Sequence, residues 1–546
     1  MELVDYRAIA PSAGGFSDLF FDYLANAPST RPYFGHHFSS ADGFEKTMHA
    51  VSAAPRDRTA LVAILEEQNR MFGAGGKTFE NITLLRNPQT CAVVTGQQVG
   101  LCGGPMYTVF KALTAVRLAE QLTSRNPGRK FVPVFWVEGE DHDFAEMHHT
   151  TLLGADFSPV RLEYLPGGVM PERNIGAVGE HVFDASLAST MDAVAATLQT
   201  TEFTPRILEM LRACYAPGKT FNQAFVSWMI GLCDKFGLVF LSPNHPGIKK
   251  ILSPLFVREI AEYPKFSQLV ITRSAELEQH YHAQVKPKSV NLFMFHRGGR
   301  YLIEPRENDF SLKGTRHFIS RDEMMRIATD TPELLSANVV LRPLAQDLLL
   351  PTVAYVAGPS EIAYHAQFGP LYEEIGIPRP VVYPRVSASF IAGRLISTLD
   401  KYQLTIADMF GDISKVTAAA VEHVAEVKLD ALFGEATRRL SELMTELRFG
   451  LKEVDPTLLG ALETTHAKSE TGIGALKEKA VAAQKRSHDT AVRQIEKAHA
   501  ALFPNGMLQE RELPLLYFLN RYGPDLVQWL HDEIDIETFS HQMFSP

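Results

Sequence analysis

Residues 91–95 (CAVVT), the loop GQQVGLCGG at 96–104, the segment PMYTVFKALTAVRLAEQLTSR at 105–125 and the run FVPVFWV at 131–137 decide how this chain folds. The first run is short and apolar and stops at Gly96, as a buried parallel strand does. Pro105 opens a periodic segment in which Met106, Val109, Phe110, Leu113 and Val116 recur at helical spacing, and proline suits a first helical turn. This helix is predicted to end near Arg125 to Gly128. FVPVFWV is then a second strand. Strand, helix, strand argues for a parallel sheet and a Rossmann-like α/β core.

The same rhythm returns further along. GLVFL (237–241) reads as a strand before Ser242-Pro243, and LLPTVAYVA (349–357) as another. A helix follows from about Ser360 to Ile375, and a further strand lies near Pro380 to Tyr383. The first 80 residues read as mostly helical with breaks, with Leu61, Val62 and Leu65 on one amphipathic face. Residues 286–318 form a hairpin around Arg297-Gly298-Gly299-Arg300. From Lys415 to Phe503 the only proline is Pro456, and the segment is rich in Ala, Glu, Lys, Arg and Leu. Leu432, Leu440, Leu443, Leu447 and Leu451, then Ile473, Leu476, Ala480 and Ala483, predict two long antiparallel helices that turn at Asp455-Pro456. That seam packs on the core or pairs with another subunit. The expected division is a core over 1–395 with insertions at about 150–218 and 286–340. A helical coiled-coil domain follows over 396–503, and a tail over 504–546 returns to the core.

Composition bounds the rest. The chain has 546 residues, 45 % hydrophobic and 21 % charged, which excludes wholesale disorder. With 53 basic and 63 acidic residues its net charge is −10. It lacks a global electrostatic drive toward nucleic acid or an anionic membrane. No apolar run approaches a membrane span. The N-terminal stretch, with Glu2, Asp5 and Arg7, is not a secretory signal. Cys91, Cys102, Cys214 and Cys233 form no C-x-x-C pair, so reduced thiols in a cytoplasmic protein are expected.

Three stretches carry chemistry. The Gly96–Gly104 loop joins a strand to a helix N-terminus, where free amides favour phosphate or carboxylate. It matches neither G-x-G-x-x-G nor a Walker A loop, and a tight turn built for sterics is the alternative. Tyr107, Lys111 and Thr114 share one face of the following helix. Lys111 reaches an anion at the loop or is merely solvated. The second stretch is Glu138-Gly139-Glu140-Asp141-His142-Asp143, just past a strand that contains Trp136. A carboxylate beside an imidazole suits a general base. A divalent metal site that draws on His148 and His149, or a solvated loop, fits the same residues. The third stretch runs from Leu341 to Asp347 and from Tyr355 to His365. Arg342 and Arg385 are either anion partners or structural ion pairs, and Glu361 suits a first helical turn. Cys102, at a helix N-terminus, is a nucleophile or a small buried residue.

Together these stretches resemble the bacillithiol-biosynthesis cysteine-adding enzyme family, BshC. The residues that carry the resemblance are TGQQVGLCGGPMYTVFKALTAVRLA from Thr95, PVFWVEGEDHDFAEMHH from Pro133 and LRPLAQDLLLPTVAYVAGPSEIAYHAQ from Leu341. PVVYPR up to Arg385 and LQER up to Arg511 add to it. The family pattern has Leu-Thr-Gly-Pro where this chain has Cys102-Gly103-Gly104-Pro105, so Cys102 is not part of what the resemblance implies. It implies a Rossmann-like core, a coiled coil and usually a dimer. It also implies a cysteine ligase that joins L-cysteine to the amine of glucosaminyl-malate as an amide. A carboxylate does not acylate an amine directly at neutral pH, so the acyl group must be activated. ATP with Mg²⁺ would serve, but no motif here demonstrates a nucleotide, and the cofactor stays open.

On that reading Gly96, Gln97, Gln98, Gly103 and Gly104, with Tyr107 and Lys111, hold an anionic group. Asp141 and His142 are the acid/base pair that deprotonates the attacking ammonium, and Glu140 and Asp143 orient them. Trp136, Arg342, Gln346, Tyr355, Gly358, Glu361, Tyr364 and Arg385 line the rest of the site, and no metal is assigned. The competing readings are a metal-dependent hydrolase or nucleotidyl transferase built on Glu140–Asp143, and a non-catalytic scaffold built on the coiled coil.

Overall fold

The structure is a computed structural model that describes residues 2–9, 15–168, 170, 172–425 and 427–546. Its central sheet has five parallel strands: β1 (Cys91–Gln98), β2 (Phe131–Glu138), β3 (Val239–Leu241), β4 (Thr352–Ala357) and β5 (Val381–Pro384). Their order across the sheet is β5-β4-β1-β2-β3, with every pairing parallel. The chain therefore winds one way from β1 to β3 and the other way from β4 to β5. The gap between β1 and β4 is the topological switch point, and in open α/β sheets ligands bind outside the strand ends there.

The runs CAVVT and FVPVFWV are buried on both faces, which explains why they read as continuous apolar stretches. Helix α1 (Tyr107–Arg125) follows β1 and ends where expected. Pro105 lies just outside it, because Leu101–Gly103 forms a separate tight turn first. Gly103 in that turn has φ +86°, and a Cβ there would lie 2.6 Å from the Trp228 ring. Only glycine meets both conditions.

Several expected elements have other bounds: the strand at 91–95 runs on through Gln98, so Gly96–Gln98 is paired strand and not loop, and the strand at 237–241 begins at Val239. The strand at 349–357 begins at Thr352, because residues up to Leu349 belong to helix α2 (Arg342–Leu349). The helix at 360–375 is two helices, α3 (Pro359–His365) and Gly369–Ile375, broken before Pro370.

The hairpin at 286–318 is present, Leu292–His296 against Gly299–Arg306, turning at Arg297-Gly298. It belongs to a five-stranded antiparallel sheet that also contains Leu335–Ala337. This sheet roofs the C-terminal ends of β1 and β2 and supplies side chains to the cavity below.

The coiled coil is α4 (Leu429–Val454) packed on α5 (Leu459–Ser487), turning at Asp455–Leu458 as expected. The expectation of two helices across 415–503 needs correction. Ile413–Val424 is a separate helix, and α6 (Asp489–Leu502) breaks from α5 at His488. There the His488 imidazole Nδ1 lies 3.0 Å from the Gln484 carbonyl. Leu432, Leu443, Leu447, Phe449, Val454, Leu458 and Leu476 stay exposed along the hairpin.

The tail returns to the core, with Leu508, Leu513, Leu516 and Leu519 fully buried. It ends as strand His541–Phe544, which joins Glu2–Val4 and Ser387–Phe390 in a third sheet that the sequence reading missed. Among the described residues no helix is long and apolar enough to cross a membrane.

Candidate functional site

A cavity of about 760 Å³ opens at the β1/β4 switch point. The ends of β1, β2 and β4, the starts of α1, α2 and α3, and the antiparallel sheet above enclose it. Of the residues chosen from sequence, Gly96, Gln97, Gln98, Tyr107, Lys111, Trp136, Asp141, His142, Arg342, Tyr355, Gly358, Glu361, Tyr364 and Arg385 all line it. Segments more than 250 residues apart thus converge because they end strands of one sheet.

Gly96 is required by this convergence. A Cβ on it would approach the Trp136 carbonyl to 2.9 Å across the β1–β2 pair. From α1, Lys111 reaches the Gly96 carbonyl at 2.9 Å, Gln97 Oε1 at 3.0 Å and Glu361 Oε2 at 2.6 Å. Glu361 also accepts from the Tyr355 hydroxyl at 2.7 Å and from the Gly358 amide at 2.7 Å. Burial lowers the Lys111 pKa against the pull of Glu361. Burial also works against the Glu361 charge, but Lys111 and the Gly358 N–H hold that carboxyl below its usual range. Lys111 is therefore committed to an ion pair and is not solvated.

Arg342 stands differently. It donates to Tyr364 Oη at 3.0 Å and to Gln346 Oε1 at 3.2 Å. It makes no ion pair with any described carboxylate, so its charge faces the cavity available to an anion. Arg385 is occupied from behind by a bidentate contact to Glu510, at 2.9 and 2.7 Å.

The acidic stretch splits after β2. Asp141 and His142 turn into the cavity, where Arg300 Nη1 lies 3.4 Å from Asp141 Oδ1 and 3.1 Å from His142 Nδ1. An arginine only donates, so Nδ1 is the acceptor and the neutral ring carries its proton on Nε2. The ring nitrogen a general base would use is thus covered. Asp141 also accepts the His142 amide at 2.8 Å and Gln98 Nε2 at 3.2 Å. Burial opposes its charge, yet Arg300 and Gln98 hold it well below the ordinary carboxylate value. Such a carboxyl adds stability that is present above its unfolded pKa and lost as pH falls through the folded one. Urea midpoints of wild type and Asp141→Asn should therefore differ at pH 6 and converge as pH drops below about 4. A gap that persists unchanged in acid would show that Asp141 carries no such linkage.

Five assignments need correction, each for a packing reason. Glu140 lies outside the cavity. The backbone turns at Gly139, and the carboxylate is buried against Lys249 and accepts from Ser336 Oγ at 2.8 Å. Asp143 also lies outside and caps the short helix Phe144–Met147 through the Glu146 amide. Gln346 is buried between Arg342 and Asp347. Gly103 donates its amide to Tyr215 Oη at 2.8 Å. Gly104 borders only a small side pocket, and its amide bonds Leu101 O. The Met106 amide, just before α1, bonds Leu513 O as well, so three of the donors expected to meet an anion are taken by protein acceptors. Cys102 is 1 % exposed with φ +55°, and burial alone pushes its thiol up to about 12. It is not an activated nucleophile. His148 and His149 bond backbone carbonyls of Phe144 and Ala145 through Nδ1.

Sequence reasoning missed Arg300, Phe293, Tyr301, Glu146, Glu138 and Arg511, all of which line the cavity. Arg300 was read only as a turn residue. The hairpin register places it on the inward face, over the Phe293 ring at 4.0 Å. Glu138 was legible from strand parity, because it shares a face of β2 with Trp136.

Two family models cover the chain. The Bacillithiol biosynthesis BshC N-terminal Rossmann-like domain matches residues 4–386, and the BshC C-terminal coiled-coil domain matches residues 388–545. A protein of Salinibacter ruber is 38 % identical over 545 residues, covering 99 % of this chain and 98 % of its own. One of Chlorobaculum tepidum is 36 % identical over 546 residues, 96 % of each chain. One of Chloroherpeton thalassium is 34 % identical over 558 residues, covering 100 % and 99 %. Each of the three is named "Putative cysteine ligase BshC". Matched from end to end on both domains, with the cavity at the sheet's switch point, this chain belongs to the BshC family of bacillithiol biosynthesis.

Proposed function

We propose that this protein is a cysteine ligase that forms an amide between L-cysteine and the free amine of glucosaminyl-malate, as the names of its relatives and the resemblance suggest. The observation that carries the reading is the pairing of opposite charges in one cavity. Arg342, with no carboxylate on it, offers a seat for a malate carboxylate. Lys286, Lys288 and Lys313 add positive charge at the rim. Glu138 and Asp141 supply negative charge where an ammonium would sit. A substrate with both signs of charge fits such a site.

The chain's own residues would bind and orient. Arg342 holds the dicarboxylate end. The Lys111–Glu361 pair fixes the floor, and Arg300 fixes Asp141 and His142. Activation of the cysteine carboxyl has to be supplied, by ATP with Mg²⁺ or by an acyl donor already activated. In the Gly96–Gly104 loop the Gly103 and Gly104 amides are already bonded to Tyr215 and Leu101, so a nucleotide would depend largely on cavity side chains. A dimer paired along the exposed leucines of α4 and α5, working in the cytoplasm, belongs to the same reading.

The test is purified protein with glucosaminyl-malate and L-cysteine, with and without ATP and Mg²⁺, read by mass spectrometry. The amide product is expected. Product only with ATP assigns the activation to the nucleotide. Absence of product in every arm, with the protein folded, overturns the ligase reading.

A further inference from the structure

Glu138 ends β2, in register with Gln98 at the end of β1. Its Oε2 accepts the Trp136 indole N–H at 3.0 Å, which fixes the side chain toward the cavity. Its Oε1 has no hydrogen-bond partner among the described residues. Two of the other cavity carboxylates are engaged more heavily, and the third is more exposed. Asp141 is held by Gln98, Arg300 and the His142 amide, and Glu361 by Lys111, Tyr355 and Gly358. Glu146 sits on the exposed rim and is held by Gln98. His142 has its acceptor nitrogen covered by Arg300.

We propose that Glu138 is the residue that receives the amine of the acyl acceptor and takes its proton, an inference that rests on the ligase reading. An ammonium has no lone pair and cannot attack. One proton passes from the ammonium nitrogen to Glu138 Oε1. The freed lone pair forms the C–N bond to the acyl carbon of an activated cysteinyl ester. The bond from that carbon to its leaving group breaks, and its electron pair departs with the leaving group. The second surplus proton leaves to the leaving group or to water.

The surroundings suit this task. The charges of Glu140 from just beyond the same strand, Arg342 from α2 and Arg300 from the antiparallel sheet act on Glu138. Burial, then the Glu140 charge, raises the carboxyl above its usual range, while Arg342, the Trp136 hydrogen bond and Arg300 act the other way. A carboxyl raised toward working pH is a better proton acceptor than an ordinary one.

The experiment compares wild type, Glu138→Gln and Glu138→Asp. Glutamine keeps the volume and can still accept from Trp136. The expected result is a fall in kcat of roughly 10²–10⁴-fold for Glu138→Gln, with loss of the acid limb of the kcat/KM profile. Glu138→Asp should keep that limb at reduced kcat. Calorimetry should show Glu138→Gln binding glucosaminyl-malate more weakly while holding its N-acylated analogue as wild type does. Activity within threefold of wild type with the acid limb intact, or equal weakening of both ligands, overturns the proposal. A wild type that makes no amide overturns the ligase reading instead. The binding comparison then still decides whether Glu138 meets the amine.

Discussion

Glu510→Ala is expected to cost about 3–5 kcal/mol of stability, because it removes one partner of a fully buried ion pair. Glu510 is 1 % exposed and Arg385 6 %. The carboxylate takes both Nη atoms of Arg385, the Ser387 hydroxyl at 2.9 Å and the Ala388 amide at 3.0 Å. Burial raises its pKa, but Arg385 and these donors more than offset that and hold it below the usual range. Arg385 is correspondingly pushed up despite its burial. Without Glu510 the guanidinium keeps its desolvation cost and loses its counter-charge.

The damage should also reach the cavity. Glu510 sits in the short helix Gln509–Glu512 that plugs the root of the coiled coil into the core. The neighbouring Gln509 bonds Phe390 N and O and Ala501 O. Arg385 and Arg511 flank the Tyr107 ring at 5.3 and 6.0 Å. Thermal and urea unfolding measure the loss, and the double variant Glu510→Met with Arg385→Met should recover part of it. A loss under 1 kcal/mol would mean the pair is more open to water than its burial indicates.

Lys249→Met should likewise cost about 3–5 kcal/mol, by removing one partner of a buried pair. Lys249 is 1 % exposed, pairs with Glu140 and donates to Leu335 O at 2.7 Å. Its loss strands the Glu140 carboxylate in the interior with only the Ser336 hydroxyl. Urea unfolding measures the deficit against wild type. The same contacts seat the Leu335–Ala337 strand, on which Arg300 rests through Ser336 Oγ and Ala337 O. Amide formation should fall along with stability. A deficit under about 1 kcal/mol would show that Glu140 is not left stranded.

The parallel core was legible because strands buried on both faces must be apolar throughout, and CAVVT and FVPVFWV are. The hairpin of α4 and α5 was legible because apolar residues repeat at helical spacing on either side of one proline, leucines before it and Ile473, Leu476, Ala480 and Ala483 after it. The cavity's strand-end residues were legible too, since β-strands that stop at glycine before a helix mark the edge where ligands bind. Gln98, Lys111 and Glu361 needed no tertiary knowledge to be suspected.

What each residue faces was decided only by the fold. Glu140, Asp141 and Asp143 are the same chemistry within four positions. One pairs with Lys249, one meets Arg300 and one caps a helix, because the backbone turns at Gly139 and again at Phe144. The Gly103 amide, expected to meet an anion, is taken by Tyr215, and the Met106 amide just before α1 by Leu513, both distant in sequence. Arg300 entered the site because a hairpin register set its face, and Glu510 because the tail returns after a long helical excursion. Sequence determined the elements and the chemical types at the strand ends, since these follow from local periodicity. Partnership between charges is a long-range matter of packing, and only the tertiary structure decided it.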